Sequence, residues 1–108
     1  MDYTDIGQEI YDTAGRLREG ANILYKHARA YAEAEHEYRM ALARVMVELR
    51  DGGMPVTLVN DVARGKTADL KYKRDLAEVT YKTTRDMLNA LETEMSGLQT
   101  LYKRQEEM

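Results

Sequence analysis

Read along the chain, apolar and small residues return at alternating steps of three and four from Ile10 to Leu49. The row runs Ile10, Ala14, Leu17, Ala21, Leu24, Ala28, Tyr31, Glu35, Tyr38, Leu42, Val45 and Leu49, the spacing of one face of a long α-helix. It divides into two heptad positions, one held by Ile10, Leu17, Leu24, Tyr31, Tyr38 and Val45, the other by Ala14, Ala21, Ala28, Glu35, Leu42 and Leu49. Thr4 is placed to cap this helix, and Gly7, Gly15 and Gly20 make its first twenty residues the part expected to kink or fray. Asp51-Gly52-Gly53-Met54-Pro55 stops it, because Gly takes the left-handed conformation that closes a helix and Pro cannot continue one.

After this stop the pattern predicts an elbow with a short helix over Leu58 to Arg64, capped by Thr57 and ended by Gly65. A second long helix is then expected, capped by Thr67, with Leu70, Arg74, Ala77, Tyr81, Thr84, Leu88, Leu91, Met95, Leu98, Tyr102 and Gln105 repeating the three-four spacing. The fold expected is all-α: a single domain, residues 1–108, forming a long antiparallel helical hairpin with a short elbow helix. Its boundaries are 4–50 for helix one, 51–66 for the elbow and 67–105 for helix two. Setting Arg50 opposite Thr67 pairs residues whose numbers add to about 117, so that Ala28 faces Leu88 and Leu91, Ala21 faces Met95 and Leu98, and Ala14 faces Tyr102. In that register Tyr31 and Tyr38 lie near Thr84 and Ala77, and small residues stand opposite large ones. Apolar residues off the seam, Ile23, Met46, Leu76, Met87 and Leu101, stay wet on one hairpin. They predict a homodimer or higher oligomer, most simply a four-helix bundle or coiled-coil-like assembly.

Composition narrows the picture. One Pro and no Trp or Phe disfavour a sandwich or barrel, and the absence of Cys excludes disulfides, thiolate metal sites and cysteine nucleophiles. Sixteen basic against nineteen acidic residues leave a net charge of -3, so any nucleic-acid binding has to be local. No apolar run approaches the length of a membrane span and the first residues are acidic where a secretory signal is basic, which points to a cytoplasmic protein without a membrane partner.

The candidate chemistry is sparse. Glu33 and His36 have the E-x-x-H spacing of carboxylate-bridged di-iron bundles, but they lie off the seam, helix two has no His, and a solvated face is the better reading. Gly65-Lys66-Thr67 lacks the earlier Gly and the strand of a phosphate-binding loop. No catalytic residue, metal ligand or cofactor motif is expected, and the chain reads as a non-enzyme. Glu35 is the one acid on the first seam; with Tyr81 and Thr84 as donors and Lys82 as counter-ion it is expected to fix register and oligomer specificity. The elbow is basic: Arg64, Lys66, Lys71, Lys73 and Arg74 stand against Asp69 alone between residues 64 and 74, with Tyr72 among them. These six are the candidate contacts to nucleic acid or to a protein partner.

Val62-Ala63-Arg64-Gly65-Lys66, Asp75-Leu76-Ala77-Glu78, Tyr81-Lys82 and Leu98-Gln99 resemble the C-terminal half of small helical proteins of bacteriophages and prophages of Gram-positive bacteria. The resemblance implies a phage or prophage origin, hence the host cytoplasm, and no catalytic residue. The secreted WXG-type hairpins share this length and architecture, but the turn here carries Asp51-Gly52-Gly53 and no Trp. The function expected is protein–protein interaction and self-assembly with a further protein partner; the alternative is a nucleic-acid-binding accessory protein that uses the basic elbow.

Overall fold

A computed structural model describes residues 2–107. They form three helices, α1 (Tyr3–Asp51), α2 (Val56–Lys66) and α3 (Ala68–Glu107), with no strand among the described residues. The all-α class expected from the pattern is thus present.

The caps differ from expectation at four places, three of them as follows. The Asp5 amide donates to the Asp2 carboxylate at 2.9 Å, so Asp2, not Thr4, caps α1. Its carboxylate reaches an amide of the first turn that has no partner within the helix. Gly7, Gly15 and Gly20 lie inside an unbroken helix. Helix α2 starts behind Pro55, whose φ of -57° is already suited to a helix start, with no side-chain cap from Thr57. Gly65 lies within α2 rather than ending it.

The stop after α1 follows the sequence. Gly53 has φ +88°, the Met54 amide donates to the Leu49 carbonyl at 3.1 Å and the Gly53 amide to the Arg50 carbonyl at 3.1 Å. These paired bonds satisfy carbonyls that the helix end would otherwise leave open.

Between α2 and α3 only Thr67 intervenes, with φ -107° and ψ 12°. Its amide and its hydroxyl both donate to the Ala63 carbonyl, at 3.1 and 2.8 Å, and its own carbonyl accepts from the Lys71 amide at 3.0 Å. The i to i-4 ladder therefore crosses the junction, and Thr67, buried with Val59 and Ala63, bridges two helices where a cap for α3 was expected.

The chain divides into two units, Met1–Lys26 with Lys82–Met108, and His27–Tyr81. In the first, Tyr3 stacks on Tyr102 with ring centroids 4.4 Å apart, Tyr3 donates to Glu106, and Gly20 lies under Leu88. In the second, Tyr31 stacks on Tyr81 at 6.1 Å and donates to Glu78, while Lys73 reaches Glu37 at 3.2 Å. In each unit the contacting segments are antiparallel, and partner numbers add to about 109. This overturns the register of 117. The expected pairing treated residues 51–66 as a connection; the chain instead reverses at Gly52–Pro55, and α2 begins the returning arm, about two helical turns earlier.

The inward face of α1 is wider than expected. Ile10, Leu17, Leu24, Tyr31, Tyr38 and Val45 are half-buried as expected, and so are Ala14, Ala28, Glu35, Leu42 and Leu49 of the second row, with Ala21 exposed. Beside them a further row, Ile6, Thr13, Gly20, His27, Ala34 and Ala41, holds the buried residues of the helix, Ile6, Thr13 and Ala34. On α3 every expected seam residue from Leu70 to Gln105 is at least half-buried. Burying a side chain such as Ile6 or Leu98 contributes about 1.5–3 kcal/mol.

Candidate functional site

Unit His27–Tyr81 carries a chain of charges. Glu35 projects from α1 beside the seam, its side chain 25 % exposed, and accepts from Arg39 one helical turn on and from Arg74 of α3. Arg74 continues to Asp75 at 2.9 Å, and Asp75 accepts from Lys71 at 3.0 Å. The Arg74 guanidinium stands 6.0 Å over the Tyr38 ring. Hydrogen bonds from Arg39 and then Arg74 hold the Glu35 carboxyl below its usual range, and Lys71 does the same for Asp75. Glu35 in turn raises Arg74, so both partners favour the charged pair. Tyr31 is raised by its bond to Glu78.

The partners of Glu35 are therefore Arg39 and Arg74, in place of Tyr81, Thr84 and Lys82. The shift of register accounts for this, since it carries Tyr81 to Tyr31 and brings Arg74 to Glu35. Arg39 was legible in the sequence as the i+4 neighbour of Glu35. Arg74 was not, because its identification needs the register.

The basic elbow is a cluster in sequence more than in space. Lys71, Lys73 and Arg74 are bound by Asp75, Glu37 and Glu35 respectively. Lys71 and Lys73, two residues apart on a helix, point to different sides. Arg64 and Lys66 are exposed on α2 and make no ion pair among the described residues, and Tyr72 is 70 % exposed. Glu33 is taken by Arg29 at 3.0 Å and His36 is exposed. Among the described residues, no group of three or more His, Asp or Glu is placed to hold a metal ion. No helix there is long and apolar enough to cross a membrane.

The other unit, Met1–Lys26 with Lys82–Met108, holds the closest of the glycine contacts. A Cβ on Gly20 would stand 2.2 Å from Leu88 Cδ2, so Leu88 rests where a side chain on residue 20 would be. Beside this contact an apolar hollow of about 300 Å³ opens between α1 and α3, bordered by Ile23, Met87, Leu88 and Leu91. Thr84, expected beside Glu35, lines this hollow. Sequence reading placed Ile23 and Met87 off the seam but did not pair them, again for want of the register.

The chain matches no known protein family, no curated protein and no solved structure.

Proposed function

We propose that this chain is a non-enzymatic helical hairpin, of phage or prophage kind and resident in the host cytoplasm, that self-assembles and works through protein–protein contacts. The carrying observation is the balance of its apolar side chains. Among the described residues the buried apolar ones are Ile6, Ala34, Val59, Ala63 and Leu98, two of them alanines. Tyr72, Leu76, Val79 and Met87 on α3, and Met40 and Val47 on α1, are each more than half exposed. Of the residues expected to need cover, Ile23, Leu76, Met87 and Leu101 are exposed and Met46 is half-buried.

Light scattering on a sizing column tests the proposal. A dimer or larger species is expected at tens of micromolar, and a monomer mass throughout refutes it. The second reading, a nucleic-acid-binding accessory protein, is favoured by exposed Arg64, Lys66 and Tyr72 near the α2–α3 junction. Retention on heparin that collapses with salt would support it.

A further inference from the structure

The hollow in unit Met1–Lys26 with Lys82–Met108 has a charged rim that is self-complementary. Arg16 and Glu19 stand on its α1 side, and Glu94 borders the adjoining depression that Arg16 and Met87 share with it. None of these three makes an ion pair among the described residues. Apolar and charged positions also keep step along the two helices. Met87, Glu94 and Leu101 recur at heptad spacing on α3, as do Arg16 and Ile23 on α1. With contacting residues adding to about 109, Ile23 is level with Met87, and Arg16 with Glu94.

We infer that a second copy of this chain seats on this face, related by a two-fold axis parallel to the helices. This deepens the self-assembly reading and rests on it. Such an axis keeps every residue at its own level and lays α1 of one copy antiparallel on α3 of the other, so all neighbouring helices in the resulting four-helix layer are antiparallel. Ile23 then meets the second copy's Met87, and Arg16 meets the second copy's Glu94, each contact occurring twice. Ile23 and Met87, 46 % and 65 % exposed in one copy, become the apolar centre, and the charges form the rim. Leu88, resting on Gly20, lines the hollow, whose volume of about 300 Å³ has room for side chains of the second copy. The pairing is isologous and needs no further protein.

The test uses two single variants of the full chain, Arg16→Glu and Glu94→Arg, followed by light scattering and sedimentation over a dilution series. Alone, each variant sets like charges opposite one another at both rim contacts, and its dimer dissociation constant is expected to rise by about tenfold or more. Mixed in equal amounts they restore opposite charges at both contacts, so heterodimers form with near wild-type affinity. A pairing of Arg16 with Glu94 inside one chain would give no such rescue on mixing. Met87→Glu, at an exposed position that leaves helicity unchanged, is expected to weaken the dimer by about a hundredfold, since it sets a carboxylate at the apolar centre. A wild-type oligomer indifferent to all three changes overturns this inference, assigns the face to another protein, and leaves self-assembly standing. Association weakened by the single variants without rescue on mixing overturns the Arg16–Glu94 pairing and with it the two-fold. A wild-type monomer overturns both the inference and the reading beneath it.

Discussion

The same substitution, Gly to Ala, should act with opposite sign at Gly53 and at Gly65. At both, a Cβ would meet nothing within 4 Å, so packing is removed from the comparison. Gly53 holds φ +88°, a conformation that costs an L-residue about 1–2 kcal/mol. Its bonds, with Met54, to the last turn of α1 fix the reversal between α1 and α2. Gly65 sits in the last turn of α2, where Ala is favoured over Gly by about 0.5–1 kcal/mol. Gly53→Ala is therefore expected to destabilise by about 1–2 kcal/mol, and Gly65→Ala to stabilise by about 0.5–1 kcal/mol. In a domain of this size each kcal/mol moves the midpoint by about 4–8 °C. Urea and thermal melts followed by circular dichroism at 222 nm measure both, with concentration fixed because association adds to apparent stability. If Gly53→Ala left the midpoint unmoved, the left-handed reversal would not be what sets the start of the returning arm, and the account of the register would lose its cause. If Gly65→Ala destabilised, residue 65 would not be helical in solution.

Other expectations follow from the same contacts. Cysteines at Gly20 and Leu88 should cross-link within one chain on oxidation, and a pair at Ala21 and Leu98 should not; peptide mapping reads the outcome, and the reverse pattern would reinstate the register of 117. Glu35 and Asp75 have lowered pKa values, so the stability they confer is fully present above their ordinary values of 4.5 and 3.8 and is lost as pH falls through the depressed ones. Glu35→Gln should flatten this acid limb in melts between pH 5 and pH 2, and an unchanged limb would remove Glu35 from the network. Glu35→Leu should remain folded while broadening the distribution of oligomer masses, because Arg74 keeps Asp75 as a partner. Thr13→Val should stabilise by about 1 kcal/mol in the same melts, since the Thr13 hydroxyl is buried without a hydrogen-bond partner; a loss of stability would show that the hydroxyl is satisfied in solution.

The periodicity made α3 legible residue by residue, yet on α1 it missed the row that holds the buried residues Ile6, Thr13 and Ala34. The reason lies in which residues fill the rows. Ala14, Ala21 and Ala28 look like a core row beside Thr13, Gly20 and His27, which look polar or empty. In the packed structure Gly20 is the inward residue, because its lack of a side chain is what receives Leu88. Hydropathy scores what a side chain adds, and a glycine at a helix contact contributes by what it omits. The register failed for a related reason. Turn residues mark where a helix stops, and Gly65 and Thr67 carry the marks of a second stop. Neither acts as one: Gly65 stays helical, and the Thr67 hydroxyl bonds backward to Ala63. Once α2 was counted as connection, every cross-helix partner moved by about two turns, including the one that neutralises Glu35.

The charges around that acid also set how many cations the basic elbow could offer to nucleic acid. Five cations between residues 64 and 74 would give a slope of log K against log salt near -4.5 per chain on duplex, at about -0.9 for each phosphate neutralised. Lys71, Lys73 and Arg74 are already bound to Asp75, Glu37 and Glu35, so the duplex would have to displace three carboxylates to use them. Arg64 and Lys66 alone make no ion pair among the described residues, and the expected slope falls to about -1.8 per chain. Fluorescence anisotropy with labelled duplex at 50 to 200 mM salt distinguishes the two. A slope near -4.5 would mean that the acids release their partners on binding, and replacing Glu35, Glu37 and Asp75 by their amides would then raise affinity. With the shallow slope, substituting Arg64 and Lys66 by Gln should abolish binding, whereas the same change at Lys71 and Lys73 should leave it nearly untouched.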